Sequence, residues 1–237
     1  ILRNGCLLQK MKTMPLAQRF SSILCITSKE PQINLINEGF KPDNLHMTGD
    51  IMLDNFKNMK NEILSKNTFA QMGLEKNSYV LATIHRQENT HDKIRLESIF
   101  KALNKVSCKN FPVVIPLHPA TKNKLSKIDI DLSNMIICDP CDYINFLSLV
   151  SDSNYIITDS GGLQKEAYYL KKKSIVLRSE TEWIELIKAK ESILVNPEKI
   201  EDIYEAINFV KNRKTSNNKI YGDGNASKII SKIIKTI

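Results

Sequence analysis

The sequence has no long hydrophobic run, no low-complexity tract and little glycine or proline, and each absence excludes a class of protein. No apolar stretch approaches the about 20 residues that a membrane-spanning helix needs. With 8 glycines and 8 prolines among 237 residues, the chain is neither collagen-like nor compositionally disordered. The stretch ILRNGCLLQKMKT is basic, but it has no sustained apolar core and no small-residue cleavage site. These absences predict a soluble, cytoplasmic protein.

The cysteines do not form a recognisable framework. Their number, 5, is odd, and their spacing is not typical of disulfide-rich domains. Cys138 and Cys141 form a CxxC pair, and a redox pair normally opens a helix after a strand. A zinc site, however, needs a second pair or suitably spaced histidines, which this sequence does not offer. We therefore expect reduced thiols, no metal site and no cofactor.

The formal net charge of +8 is compatible with a nucleic-acid partner. The excess lysines, however, are scattered or stand in short clusters such as Lys171–Lys173, without interleaved aromatic residues. None of these clusters lies on a basic recognition helix. A solvated, lysine-rich surface is the better interpretation, and we expect no nucleic-acid partner. A positive field also favours small phosphate-bearing substrates.

Short apolar runs alternate with amphipathic stretches from Asn77 onward. Nearly continuous apolar character is typical of parallel strands that are covered on both faces. Between the runs, apolar residues recur with helical spacing over 96–106 and 200–210, and Pro197 is expected at the start of the second helix. The alternation predicts an α/β fold with a doubly wound, parallel, Rossmann-like sheet. The runs are YVLATI (79–84), PVVIPL (112–117), MIIC (135–138), YIIT (155–158), SIVL (174–177) and SILV (192–195).

The amino-terminal part is less regular. Ser22–Ser28 predicts one further strand, and a helix is expected to carry Phe56, Met59 and Ile63. We interpret residues 1–47 as the remnant of a preceding Rossmann-like domain with a connection. Residues 48–237 are then the main Rossmann-like domain, including a final helix.

Polar side chains directly follow four of the predicted strands. In an open parallel sheet, ligands bind beyond the carboxyl ends of the strands, so we expect these residues to converge on one edge. This convergence predicts a ligand site there. The residues are His85, Arg86, Glu88 and Asn89 after the first run, His118 after the second, Asp159 to Gly162 after the fourth, and Arg178, Glu180, Thr181 and Glu182 after the fifth.

The segment Asp159-Ser160-Gly161-Gly162 links a buried run to a helix that we expect to begin near Leu163. Its glycines allow the backbone to approach an anion closely, and the N–H groups and dipole of a helix start favour phosphate. A plain turn capped by Ser160 is the alternative. Two arginines and His85 on the same edge favour phosphate binding. Glu166, one turn into the helix, either accepts hydrogen bonds from a ribose or is a solvated surface residue.

A lone histidine is more often structural than catalytic, but His85 and His118 both end strands on this rim. Together with Arg86, they favour contact with a charged ligand and stabilisation of its charge. Glu88 either joins that contact or orients Arg86 through an ion pair. The other two of the 4 histidines have no such context and are expected at the surface.

Longer motifs contain these residues and are far more specific than a bare glycine-rich loop. The long motifs are ATIHRQENTHDKIRL (82–96), ITDSGGLQKEAYYL (157–170) and LRSETEWIEL (177–186). Shorter motifs are LHP (117–119), DPCDYINF (139–146), TGDIMLDNF (48–56) and YGDGNAS (221–227). From about Ser28 onward, the sequence resembles the non-hydrolysing UDP-N-acetylglucosamine 2-epimerases. The resemblance implies two Rossmann-like domains with the site between them, as in GT-B glycosyltransferases, and this chain resembles the carboxyl-terminal, UDP-binding half.

The resemblance also implies roles for individual residues. His85 is the catalytic residue beside the diphosphate and the reacting sugar. The serine and the glycines of the TDSGG motif hold the diphosphate, Glu166 binds the ribose and Phe146 stacks on uracil, although without the resemblance Phe146 would be a core residue. Trp183 stands where many relatives have arginine. The implied substrate-binding residues are Arg86, Glu88, Asn89, His118, Phe146, Ser160, Gly161, Gly162, Glu166, Arg178, Glu180, Thr181 and Glu182.

The family reaction interconverts UDP-N-acetylglucosamine and UDP-N-acetylmannosamine. Because the proton at C2 of the sugar is not acidic, anti elimination of UDP first gives a 2-acetamidoglucal. UDP then adds back while C2 is protonated from the opposite face. A diphosphate clamp retains the leaving group, and carboxylates near C2 transfer the proton. The resemblance implies a UDP-sugar substrate, no metal or other cofactor, and a homodimer as a common assembly.

The chain departs from the family pattern at the acid–base carboxylates, which come from the other domain. The aspartate motif of that domain is absent, and Leu2-Arg3 matches only the tail of a Glu-Ala-Gly-Leu-Arg motif. Pro15-Leu16-Ala17-Gln18-Arg19 stands where the family has Pro-Glu-Glu-x-Asn-Arg. We therefore expect this chain by itself to bind UDP weakly and not to epimerise.

Three alternatives use the same nucleotide-binding half. They are a GT-B glycosyltransferase, a hydrolysing epimerase that releases UDP and free N-acetylmannosamine, and a protein that only binds UDP-sugars. The loop Glu180–Trp183 and the HRQEN motif favour the epimerase over the transferase. Free UDP during turnover would identify the hydrolysing enzyme, and salt-dependent binding to a random duplex would reveal a nucleic-acid partner.

Overall fold

A computed structural model of the chain describes residues 18–117, 119–125, 131–211, 215–216 and 218–236. No helix within these ranges is long and apolar enough to span a bilayer. The contacts divide the described chain into two compact units, one comprising 18–58 and 218–236 and the other 59–211 and 215–216. The boundary predicted after residue 47 stays a prediction.

Short strands are interspersed with helices along the described chain. A single 3-10 turn, Pro42–Asn44, precedes the second strand. The elements in chain order are β1 (Leu24–Ile26), α1 (Lys29–Asn37), β2 (Leu45–Met47), α2 (Ile51–Ser65), α3 (Thr68–Gln71), β3 (Val80–Thr83), α4 (Gln87–Thr90), α5 (Lys93–Val106), β4 (Val113–Pro116), α6 (Pro119–Leu125), β5 (Met135–Cys138), α7 (Tyr143–Asp152), β6 (Ile156–Thr158), α8 (Gly161–Tyr169), β7 (Ser174–Leu177), α9 (Ile184–Lys188), β8 (Ser192–Val195), α10 (Ile200–Lys211) and α11 (Ala226–Ile234).

The larger unit is built on a sheet of 6 strands in the order β5-β4-β3-β6-β7-β8. Every neighbouring pair is parallel; Ala82 on β3, for example, lies opposite Ile157 on β6. The chain first builds outward from β3 to β5 and then returns to the other side of β3 with β6. The predicted doubly wound, Rossmann-like sheet is confirmed. Its strand order reverses between β3 and β6, the place where such sheets bind ligands.

Apolar periodicity positions the helices on this sheet. Leu96, Ile99 and Leu103 form the buried face of α5 and pack into the same core as the inward residues of α10. The expectation that α10 starts at Pro197 is wrong, because the helix begins at Ile200. The side chain of Asn196 accepts a hydrogen bond from the Glu198 N–H at 3.4 Å, and this local turn competes with a helical start.

The smaller unit brings together two motifs that are far apart in the sequence. The parallel pair β1 and β2 packs with α1 around Ile26, Leu35 and Leu45. The carboxylate of Asp54, within TGDIMLDNF, accepts backbone hydrogen bonds from Ala226 and Ser227 at 3.0 and 2.7 Å, and so caps the start of α11. The motifs around residues 48–56 and 221–227 therefore act as one structural element.

The first prediction concerns Gly49, at the contact between these motifs. Its φ is +79°, and a Cβ there would lie 2.9 Å from the carbonyl oxygen of Tyr221. Gly39 lies in the same unit with φ +86° and open space around it, so Gly39→Ala measures conformational strain alone. We expect Gly39→Ala to cost about 1–2 kcal/mol. Gly49→Ala should lower the free energy of unfolding further, because the backbone must also shift. Equal losses in urea denaturation would contradict the close contact.

Candidate functional site

A pocket of about 310 Å³ lies at the strand-order reversal. The ends of β3 and β6 form its floor, where the hydroxyls of Thr83 and Thr158 are hydrogen-bonded at 2.6 Å. Residues that follow β3, β5 and β6 form the walls. The polar and aromatic side chains that line it are His85, Cys141, Tyr143, Phe146, Ser160 and Glu166.

A fully buried carboxylate, that of Asp159, lies beneath the rim of this pocket. Its Oδ2 accepts hydrogen bonds from the backbone N–H groups of His85 and Arg86, both at 3.0 Å, and from Asn89 Nδ2 at 3.1 Å. Asn89 Nδ2 also donates to the carbonyl of Leu177 at 3.0 Å, which links the end of β7 to the cluster. Sequence reasoning assigned Asp159 only to a turn, whereas it joins three strand ends.

His85 completes this arrangement with its side chain. Its Nδ1 lies 2.9 Å from Oδ1 of Asp159, and the side chain is 59% exposed at the pocket rim. The hydrogen bond to Asp159 raises the pKa of the His85 imidazole above its ordinary value, although burial and the charge of Arg86 lower it. Burial would raise the pKa of Asp159, but hydrogen bonds, first of all the one from His85, hold it below its usual range. The pair therefore favours an imidazolium beside a carboxylate.

The phosphate-compatible loop lies at the start of α8, which begins at Gly161 rather than near Leu163. Ser160 caps this helix, with its Oγ 3.5 Å from the N–H of Leu163. Neither Gly161 nor Gly162 has a positive φ, and a Cβ on Gly162 would meet nothing within 4 Å. Neither conformation nor packing of the chain demands glycine at these positions. Gly162 instead keeps open space at the helix start, as close approach of an anion requires, whereas a Cβ on Gly161 would lie 3.5 Å from the Glu182 carboxylate.

Two arginines and two glutamates form a charged cluster beside the loop. Arg178 is buried and forms two hydrogen bonds with Glu182, at 2.7 and 3.0 Å. Arg86 lies 3.8 Å from Glu182 and also 3.8 Å from Glu88. The contact with Glu88 is the ion pair that the sequence suggested for this residue. Burial opposes ionisation of Glu182, but the hydrogen bonds from Arg178 hold the pKa of its carboxyl below the usual value. Glu182 thus orients both arginines in the free chain.

Trp183 connects the Glu180–Trp183 loop to the phosphate-compatible loop. The sequence indicated this residue only as a family variant. Its indole N–H donates to the carbonyl of Gly161 at 2.7 Å, and the ammonium of Lys165 lies 3.6 Å from the ring centre. The hydroxyl of Thr181 donates to Gln164 at 2.7 Å. These contacts join the loop after β7 to the first turns of α8, so the two loops are held together before any ligand binds.

The opposite end of the pocket combines an aromatic ring with a carboxyl group. Phe146 is partly buried on α7, whose start is capped by Asp142. Glu166 accepts a hydrogen bond from the hydroxyl of Tyr143 at 2.7 Å. Burial raises the pKa of Glu166 above its usual value, against the effect of the Tyr143 hydrogen bond. A flat aromatic surface beside a partly shielded carboxyl suits a nucleoside, with its base on the ring and its ribose hydroxyls on the carboxyl.

The remaining predicted residues differ in how far they are buried. Asn89 is fully buried below the rim, and Glu180 is partly buried in the loop after β7. His118, Leu2-Arg3 and 15–17 lie outside the described residues. Within the described ranges, no three His, Cys, Asp or Glu residues are grouped so as to hold a metal ion.

Comparison with known proteins identifies the family. A family model described as UDP-N-acetylglucosamine 2-epimerase matches residues 15–235. This chain belongs to that family. The resemblance found in the sequence is therefore confirmed over nearly the whole chain, including the TDSGG and HRQEN motifs that form the pocket.

Individual members of the epimerase family agree with this placement. The UDP-2,3-diacetamido-2,3-dideoxy-D-glucuronate 2-epimerase of Pseudomonas aeruginosa is 33% identical over 222 residues, 92% of this chain and 61% of that protein. A UDP-N-acetylglucosamine 2-epimerase of Methanococcus maripaludis is 32% identical, with 92% and 62% covered. The Methanocaldococcus jannaschii UDP-GlcNAc 2-epimerase, solved with UDP-GlcNAc and UDP, superposes with a TM-score of 0.77 at 26% identity, over 92% of this chain and 62% of that one. The chain thus spans less than two thirds of these relatives.

The second prediction uses the open space above Gly162. Gly162→Ala should raise the free energy of unfolding by about 0.4–1 kcal/mol, because alanine restricts the unfolded chain and fits the helical conformation. The same change should weaken the binding of a phosphate-bearing ligand such as UDP at this helix start, because the methyl group fills the open space. Denaturation and titration of one variant measure both effects. Unchanged UDP affinity would show that the glycine does not face the ligand.

Proposed function

We propose that this chain supplies the UDP-binding half of the active site of a UDP-N-acetylglucosamine 2-epimerase. The observation that carries the proposal is one pocket with a histidine, a helix start with unneeded glycines, and an aromatic–carboxyl end, all at the strand-order reversal. Family membership adds the reaction class. Each of the three features fits a different part of a UDP-sugar.

In this proposal the helix start of α8 binds the diphosphate through backbone N–H groups and the hydroxyl of Ser160. His85 donates a hydrogen bond to a diphosphate oxygen as its imidazolium, and Arg86 adds a second positive charge. Uracil stacks on Phe146, and the ribose hydroxyls bind Glu166. Because Tyr143 already occupies one oxygen of Glu166, that hydroxyl either moves on binding or remains as a third partner of the ribose.

The proposed chemistry is elimination and re-addition. A base removes the C2 proton, a C1–C2 double bond forms, and the bond from C1 to the UDP oxygen breaks with its electron pair passing to UDP. Re-addition forms the C1–oxygen bond again while C2 takes a proton on the opposite face. The residues of this chain stabilise and hold the departing diphosphate, which is where negative charge develops. The carboxylates that move the C2 proton come from outside the described residues.

The Pseudomonas relative makes a diacetamido uronic acid nucleotide the second candidate substrate. Its identity of 33% is similar to that of the N-acetylglucosamine enzymes. Both candidates share the UDP part, which is the part that this pocket fits. The assembled active enzyme should be offered both nucleotides, and preferential turnover of the uronate would assign the second function.

The third prediction is that UDP binding depends on His85 and Ser160. His85→Ala and Ser160→Ala should each raise the dissociation constant roughly tenfold or more, since a hydrogen bond to a charged group contributes about 1.5–3 kcal/mol. His91→Ala is the matched control, because His91 is exposed in the same segment. Trp183 is the only tryptophan, so its fluorescence reports ligand at the loop alongside calorimetry. Saturable UDP binding whose dissociation constant neither substitution changes would show that UDP binds elsewhere.

The fourth prediction separates binding from turnover. We expect the purified chain to bind UDP and to show no interconversion of UDP-N-acetylglucosamine and UDP-N-acetylmannosamine by itself. Measurable epimerisation would show that the chain holds its own acid–base residues. Stoichiometric release of free UDP would indicate the hydrolysing reaction, and transfer of the sugar to an acceptor would indicate a glycosyltransferase. A cytoplasmic location and a homodimer stay predictions.

A further inference from the structure

The contacts of Asp159 form a closed set around one carboxylate at the strand-order reversal. Backbone N–H groups from two consecutive residues and the Asn89 amide converge on Oδ2, while Oδ1 lies 2.9 Å from His85 Nδ1 and also accepts from the His85 N–H at 3.2 Å. The carboxylate is fully buried, whereas the side chain of His85 is 59% exposed at the pocket rim. Asp159 therefore acts on the pocket through the residues that it holds, and His85 is the one whose side chain it contacts at the rim.

We propose that Asp159 is a positioning residue that holds His85 in the Nδ1–H form, with Nε2 presented to the pocket. An ionised carboxylate can only accept hydrogen bonds, so the ring nitrogen 2.9 Å away must carry the proton. In neutral His85, Nε2 is then the acceptor nitrogen, and in the imidazolium it is the donor. In the part of the chain that the structure describes, Nε2 has no hydrogen-bond partner. The meaning of this tautomer for catalysis rests on the proposed function.

The surrounding hydrogen bonds make this orientation rigid. Because the N–H groups of His85 and Arg86 both bind Oδ2, the carboxylate cannot rotate away from the ring without losing them. Asn89 supports the same oxygen from below and is itself anchored to the carbonyl of Leu177. The ends of β3, β6 and β7 therefore hold the imidazole of His85 in one orientation. A side chain that contacts phosphate needs such a fixed position.

The charged groups that face His85 act in opposite directions. Asp159, from the end of β6, favours the imidazolium, while Arg86, from its own loop, and burial disfavour it. The pKa of His85 is raised overall, so its positive charge persists to a higher pH than in a free histidine. That charge lies where the proposed function needs a donor to the diphosphate.

Nitrogen-15 NMR of the full chain tests the inference without any ligand. With ¹⁵N-histidine labelling the chain has only 4 imidazoles, and His85→Gln identifies the signals of His85. We expect wild-type His85 to be protonated on Nδ1 at high pH, as the one-bond and two-bond couplings report directly. Observation of the Nε2–H tautomer in the wild-type chain would overturn the proposal, and the variant serves only to assign the His85 signals.

Asp159→Asn then tests the cause. We expect the His85 pKa to fall by about 1 pH unit or more and the tautomer preference to be lost. Asp152→Asn is the matched control, because Asp152 is also buried but pairs with Lys76 at 2.9 Å and does not contact His85. An unchanged His85 pKa in a folded Asp159→Asn chain would contradict the role. UDP binding is measured separately by titration. A chain with the expected tautomer but no UDP binding would contradict the proposed function and leave the role of Asp159 standing.

Discussion

The site depends on one constraint: the connections that follow two neighbouring parallel strands run to opposite sides at the strand-order reversal, and the backbone groups at the strand ends need partners. The carboxylate of Asp159 satisfies the N–H groups that follow β3 and remains ionised because it receives several hydrogen bonds. A buried charge of this kind is costly unless it is fully paired. Its pairing therefore fixes the loop after β3, the ring of His85 and, through Asn89, the end of β7.

A second set of contacts prepares the neighbouring loops. Trp183 and Thr181 bind the start of α8, while Arg178 and Glu182 hold one another beside it. These polar side chains are thus already held in place before a ligand arrives, and less ordering remains to oppose binding. Beside them, the space above Gly162 stays open although the backbone conformation there does not require glycine. That combination of rigid walls and a vacant helix start is typical of anion sites.

Much of this arrangement could be predicted from the sequence because it follows from local pattern. Continuous apolar runs predicted the parallel strands, and three of them, MIIC, SIVL and SILV, match the observed strands residue for residue. Polar residues at strand ends predicted the edge of the sheet at which the pocket lies. The prediction was weaker at helix starts: α8 begins two residues earlier than expected and α10 three residues after Pro197. There, a cap or a local turn decides between conformations of similar energy.

The sequence by itself determined the fold class, the strand-end motifs and the family, because periodicity and strings such as TDSGG are properties of neighbouring residues. Tertiary structure alone decided that Asp159 faces His85, that Trp183 binds Gly161, and that the motif containing Asp54 caps α11. These pairs are separated by 74, 22 and 172 positions. Their geometry is set by strand order and helix placement. The pattern of neighbouring residues along the chain does not specify either of these.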